Sequence, residues 1–286
     1  MFPPDNIREV SYIGKPRSYT AMFLSAKAGH LLRHLEAVEG CLIFAEESLV
    51  VPEELTMKHQ FHFSTTPQWD YYCFTVELEK NRQTIERAIR WISTKNGAHI
   101  AETAKIGDGV TIAPGAVVGP EVEIGDNCTI GAHTVIKRAR LGLGVRVADG
   151  VRIGEDAYNL VHSPKKEVYN MPTLGCVEIA DNVGIGAQTV VAAGLAGTTV
   201  IDSFSQIDSF CHIHHDCNLG KRVELASSVK LGGFVEIGED CFIGIGSSIK
   251  NRIQIGERAI IGMGSVVIRD VPADITVYGV PASSHI

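Results

Sequence analysis

The chain has 286 residues, 45% of them hydrophobic, enough for one large or two ordinary folded domains. Lys and Arg number 26 against 33 Asp and Glu, a net charge of −7 with no basic stripe, which argues against nucleic acid as a partner. No apolar run approaches the roughly 18 residues of a membrane span, and MFPPDNIREV lacks the charged-then-apolar order of a signal peptide, so a cytoplasmic protein is expected.

Residues 1–98 read as a small α/β domain. Ala26 to Val38 spaces Leu31, Leu32, Leu35 and Val38 as a helix does, and Cys41 to Ala45 (CLIFA) reads as a short buried strand. Phe61 to Phe63 alternates, and Trp69 to Ser93 reads as one or two helices, with Lys95-Asn96-Gly97 as the junction to the rest of the chain.

A different rule governs residues 99–286. Aliphatic residues recur every six positions at Ile100, Ile106, Ile112, Val118, Ile124, Ile130 and Ile136, slip by one, and continue at Leu141, Val147 and Ile153. The chain leaves this pattern over 157–176, a polar stretch containing HSPKK, and regains it at Ile179, Ile185 and Val191. After an irregular 192–200 it runs without a miss from Ile201 to Val267, with a small or apolar residue four places after each aliphatic one. A period of six fits neither a helix nor a lone strand. It fits a solenoid of short strands and tight corners, with about 18 residues per three-sided coil and nine or ten coils. The flat sides of such a prism favour a symmetric oligomer, most simply a homotrimer.

The seven cysteines form no pairing pattern. Cys128, Cys211, Cys217 and Cys241 fall on the small inward position of a hexad and read as core residues in a reducing compartment. No CxxC pair or convergent His/Cys spacing marks a zinc site, so no metal is expected.

Chemistry concentrates at His212-Ile213-His214-His215-Asp216-Cys217. With Ile213 and Cys217 inward, His215 and Asp216 fall on an exposed corner. A histidine beside a carboxylate is suited to general-base work near neutral pH. The alternatives are a solvated polar corner, or a metal site built from His212 and His214 on one side of a strand.

The hexads, the HHDC corner and the ending IGERAIIGMGSVVIRDVPADITVYGVPAS resemble the left-handed β-helix acyltransferases, and more narrowly the nucleotide-amino-sugar N-acetyltransferases of surface-glycan pathways. That resemblance implies a mainly β fold, a left-handed parallel β-helix preceded by a small α/β domain. It implies acetyl-CoA as co-substrate, His215 as base with Asp216 beside it, and CoA contacts at Gly233, Gly244, Ile245 and Gly246. A late-coil glycine of that pattern is Met263 here, and a second histidine that often lies nine residues past the base is Glu224. The stretch from Ile153 to Thr189 is also similar to the UDP-3-O-acylglucosamine N-acyltransferases of lipid A synthesis, which use acyl carrier protein. They have a comparable ejected loop, entered here through Asp156-Ala157-Tyr158-Asn159 and left through Pro172-Thr173-Leu174-Gly175. Their uracil-stacking segment resembles Tyr19 to Leu24, which makes Phe23 a stacking candidate beside its alternative as a core residue.

The expectation is therefore an N-acyltransferase that moves acetyl from acetyl-CoA to the amine of a nucleotide-linked sugar. His212, His214, Phe23 and Tyr158 are its substrate-binding candidates. The chain's stop soon after the VPADITVYGVPAS tail favours a small acyl group on CoA over a carrier-protein donor. A metal-dependent hydratase and a non-catalytic sugar-nucleotide binder are the readings from other classes.

Overall fold

The computed structural model describes residues 7–284, so the first six residues of the MFPPDNIREV segment lie outside the described residues. It contains two compact units: residues 1–87 with 158–175 and 195–197, and residues 88–157 with 176–194 and 198–286.

The first unit is built on four parallel strands in the order β1 (Glu9–Val10), β2 (Thr20–Leu24), β3 (Leu42–Glu46) and β4 (Gln60–Ser64). Helices run over Ala26–Ala37 (3-10 in type), Glu53–Lys58 (α1) and Pro67–Ala88 (α2). Strand alternation sends Ala21, Leu42 and Phe44 toward Tyr71 and Phe74 of α2. Met22, Leu24, Ile43 and Ala45 face Leu32, Leu35 and Leu55 on the other side. Burial on both faces explains why CLIFA is apolar without a break.

The ejected 158–175 segment is part of this unit and not a free loop. It forms an antiparallel hairpin, Leu160–His162 against Val168–Asn170, and sends Val161 and Met171 into the α2-side core. The Thr75 hydroxyl reaches Met171 Sδ at 3.5 Å, and the Tyr169 ring lies 5.4 Å from Trp69 and 5.6 Å from Tyr72. With no hexad to stack on a coil, Val161 and Met171 are buried here instead.

The second unit is a parallel β-helix. Its first, second and third faces carry ten, eight and nine strands respectively among the described residues. Pairings such as Gln206 with Glu224, Phe242 and Ile260 advance by 18 residues per coil. Lys95-Asn96-Gly97 is not a domain junction. It belongs to the turn of a hairpin, Trp91–Ser93 against His99–Ala101, that opens the first face.

From Val118 onward each hexad puts its aliphatic residue inside, with Ile201, Ile213, Leu219, Ile243 and Ile261 all inaccessible, whereas Ile106 in the opening coil is exposed. The small position four residues later is buried too, and it does more than fill space. Ser205, Cys211, Cys217, Cys241 and Ser247 each donate to a carbonyl 15 residues on, at 2.9 to 3.2 Å. A hydroxyl or thiol there caps a corner carbonyl of the next coil, so Ser and Cys interchange at these positions. Corners turn through the left-handed region, at every sixth position from Phe204 through Phe210, Asp216, Arg222, Ser228, Phe234, Asp240, Gly246, Arg252, Arg258 and Gly264.

Both interruptions of the period leave from one edge, where the first face turns into the second. Residues 157–175 connect Arg152–Glu155 to Cys176–Ile179, and 193–197 connect Val190–Ala192 to Thr198–Ile201. The next corner along that edge joins His212–Ile213 to Asn218–Leu219 and carries the histidines.

Candidate active site

The Asp216 backbone sits in the left-handed region at φ 57°, its N–H donating to the buried Thr199 hydroxyl at 2.8 Å. That turn sends the carboxylate back along the chain, and Asp216 Oδ2 lies 2.9 Å from His215 Nδ1. A carboxylate only accepts, so Nδ1 carries the hydrogen and Nε2 keeps its lone pair.

The His215 ring does not stand out from the corner as the hexad phase predicts; His215 is only 7% exposed. It folds along the prism edge onto the next coil. A Cβ on Gly233 would lie 2.6 Å from both Cε1 and Nε2, so only a glycine leaves room for the ring. Phe234 meets the ring edge-on at 5.1 Å and 89°, and the Arg252 guanidinium covers Phe234 at 4.4 Å from its centroid. The backbone repeats this stacking: Phe234 N–H donates to the His215 carbonyl and Arg252 N–H to that of Gly233, both at 3.0 Å. No protein acceptor lies within reach of the Gly233 N–H among the described residues.

His214 packs against His215 at 4.6 Å and stacks on His212 at 5.5 Å. Its pKa is pushed down to about 4, first by burial and then by His215 and His212. It is therefore neutral near pH 7, and its Nδ1 is buried without a partner among the described residues. His212 is lowered by burial as well. Cys217, inward beneath the dyad, has its thiol pushed up to about 12 by burial, which makes it inert packing.

The remaining predicted residues do not all converge on this corner. Gly233 does. Gly244, Ile245 and Gly246 lie at a corner between the third and first faces, with Met263 one coil further on, and Ile245 and Met263 are exposed. Glu224 sits on the third face beside a shallow cavity of about 360 Å³. Phe23 and Tyr158 belong to the first unit. Phe23 is not a core residue: it is 37% exposed on the α2 side of β2, 5.5 Å from the Tyr71 ring, because only one side of it is covered. Tyr158 is 72% exposed. Sequence reasoning missed Thr199, Phe234 and Arg252. The period held the clue for the last two, which follow Asp216 by one and two coils of 18 residues.

Among the described residues, no group of three or more His, Cys, Asp or Glu is arranged to hold a metal ion, and no helix is long and apolar enough to cross a membrane.

Residues 103–138 and 234–269 match the family model described as bacterial transferase hexapeptide (six repeats), and 121–157 match the hexapeptide repeat of succinyl-transferase. No curated protein sequence matches the chain. Among solved structures it is similar to a UDP-N-acetylglucosamine acyltransferase from Campylobacter jejuni, at 28% identity over 66% of this chain and 72% of that one, TM-score 0.61. One from Bacteroides fragilis 9343 has 26% identity over 68% and 74%, TM-score 0.61. An Arabidopsis UDP-N-acetylglucosamine acyltransferase shares the fold at 23% identity over 67% and 73%, TM-score 0.53. The 18-residue coil, the repeat models and these neighbours together identify the chain as a left-handed β-helix acyltransferase of the hexapeptide-repeat type.

Proposed function

We propose that this acyltransferase moves an acetyl group from acetyl-CoA to the amine of a nucleotide-linked amino sugar in surface-glycan synthesis, as a cytoplasmic homotrimer. The observation that carries the reading is the His215–Asp216 pair, oriented at 2.9 Å and pressed onto a side-chain-free Gly233. The amine attacks with its lone pair, forming the new C–N bond to the thioester carbonyl carbon. His215 Nε2 takes the amine proton as the tetrahedral intermediate forms, and Asp216 stabilises the resulting imidazolium. Collapse breaks the C–S bond, and the proton passes from His215 to the departing thiolate. The Gly233 N–H supplies a donor for the oxyanion. Neutral His214, with His212 stacked on it, is suited to orient the sugar hydroxyls.

A nucleotide-sugar acceptor is supported by the neighbours, which are named for UDP-N-acetylglucosamine. A trimer is supported by geometry. Gly244–Gly246 and Met263 occupy a different edge from His215, so a donor touching both sets bridges two copies. The first unit, with the aromatic Phe23 on its sheet and Tyr158 in its hairpin approach, is the proposed nucleotide-binding domain.

The test is turnover with a panel of nucleotide amino sugars and acetyl-CoA, monitored by mass spectrometry, with His215→Ala alongside. An acetylated amine with wild-type protein and its loss in the variant support the reading. Full activity of His215→Ala removes the base, and acylation only from a carrier-protein thioester replaces the donor.

A further inference from the structure

Corners of the second unit are tied to one another through the backbone. The residue that turns through the left-handed region donates its N–H to a carbonyl of the coil before. On the histidine edge Phe234 donates to His215 and Arg252 to Gly233, both at 3.0 Å. Elsewhere Arg222 donates to Ser203 at 3.1 Å and Ser228 to Ser209 at 3.0 Å. Asp216 differs. In the coil before it the chain leaves this edge over 193–197, and Ala196 is buried in the first unit, its N–H donating to the Tyr12 hydroxyl at 3.2 Å. That coil offers no corner of the regular kind, and the Asp216 N–H donates to a side chain, the Thr199 hydroxyl, at 2.8 Å.

Thr199 also departs from its own class. It occupies the small inward position two residues before Ile201 and is wholly buried. Hydroxyls at the same position of other hexads, those of Thr134, Thr189 and Ser205, accept the N–H of the inward residue one coil on. Their partners are Val151, Cys211 and Val223, at 3.1 to 3.3 Å. Thr199 stops one residue short of the inward Cys217 and takes the corner. Thr103 does the same for Glu121, at 3.2 Å, in the opening coils.

The consequence falls on a single peptide. The His215 carbonyl and the Asp216 N–H belong to one rigid plane. The coil after holds its carbonyl through the Phe234 N–H, and the coil before holds its N–H through Thr199. Bonds at both ends fix the rotation of that plane. The rotation decides where the Asp216 side chain leaves a backbone at φ 57°, and so keeps Oδ2 at 2.9 Å from His215 Nδ1. A buried N–H stripped of its acceptor is costly, and turning the peptide toward a new partner relieves it.

We infer that Thr199 is the positioning residue of the dyad: its hydroxyl pins the His215–Asp216 peptide, which aims the carboxylate and fixes the His215 tautomer. The inference rests on the reading of His215 as base and extends it to a group that acts only through Asp216.

Three variants and a control test it. Thr199→Val keeps the shape and removes the acceptor. Thr199→Cys is the second such variant, because Cys211, Cys217 and Cys241 fill the same inward position and sulfur accepts weakly. Thr199→Ser restores the hydroxyl. Thr134→Val removes a buried hydroxyl of the same class far along the chain from the dyad and controls for lost stability. The first readout is imidazole nitrogen NMR of neutral His215 in the protein alone, which needs no turnover. The second is kcat and KM with acetyl-CoA and an amino sugar that the wild type acetylates. In wild type and Thr199→Ser a single tautomer with hydrogen on Nδ1 is expected. In Thr199→Val and Thr199→Cys both tautomers should exchange, with kcat lower by about tenfold to 10²-fold and KM little changed. Thr134→Val should lower Tm without either effect. An unaltered tautomer in the folded Val or Cys variant overturns the inference. So does a loss that serine fails to restore, or one that Thr134→Val reproduces. If His215→Ala keeps full activity, the base reading fails, while the NMR signature still decides whether Thr199 sets the tautomer.

Discussion

Replacing Gly233 with alanine tests the stacking of the base directly. The new Cβ would stand 2.6 Å from His215 Cε1 and Nε2 and 3.1 Å from Cδ2, against an ordinary contact of 3.4 Å or more. The ring must move by roughly 1 Å, either lengthening its 2.9 Å bond to Asp216 or pushing against Phe234. Overpacking of this kind costs about 1–3 kcal/mol of stability. A misplacement near 1 Å costs on the order of 10²-fold in rate. The assay is kcat against pH with saturating acetyl-CoA and the identified amino sugar, with Tm measured alongside. Gly220→Ala is the control: its Cβ meets the Glu239 backbone N at 2.9 Å on another edge, so it strains a coil without touching the histidine. A folded Gly233→Ala with kcat within twofold of wild type would refute the argument that His215 works from this position.

Asp216→Asn keeps a residue that tolerates the left-handed backbone but loses the carboxylate that fixes the tautomer, so kcat falls about 10²- to 10⁴-fold with little change in Tm. His214 is held neutral in the fold, so the unfolded chain binds more protons between pH 6.5 and about 4, and stability falls as the pH drops through that window. The lowering corresponds to about 3 kcal/mol at full strength. Solvent screening of the partly buried ring leaves about 1–2 kcal/mol, which urea melts of wild type and His214→Asn should resolve as a flatter pH dependence in the variant. Ile213→Ala, opening a cavity in a fully buried hexad position, should cost about 2–5 kcal/mol in the same melts. A thiol reagent should label exposed Cys73 rapidly and leave Cys128, Cys211, Cys217 and Cys241 protected until the helix unfolds.

The second unit was legible in the sequence because its rule is local and repeated. An aliphatic residue every sixth place and a small one four later dictate which side chains point inward, and Cys211, Cys217 and Cys241 are buried as that rule requires. The α/β texture of the first unit was legible for a similar reason: continuous apolar CLIFA and the spacing of Leu32 and Leu35 report burial one element at a time. The period also located both interruptions and the HHDC corner. It did not show that all three share one edge, since that depends on counting corners by threes once the coil has closed.

What only the tertiary structure decided are contacts between residues 18 or more positions apart. His215 lies down on Gly233 and under Phe234, because the next coil supplies a space where a Cβ is absent and an aromatic edge beside it. A rule that sorts side chains into inward and outward cannot tell an outward residue in water from one covered by its neighbour in the stack. The polar 157–176 stretch likewise reads as an exposed loop, and its burial of Val161 and Met171 against α2 depends on partners nearly 100 residues away. The sequence by itself determined the helix, its core and the place of the candidate base. Stacking decided what surrounds that base, since coil-to-coil contacts depend on three-dimensional adjacency and the repeat specifies only direction.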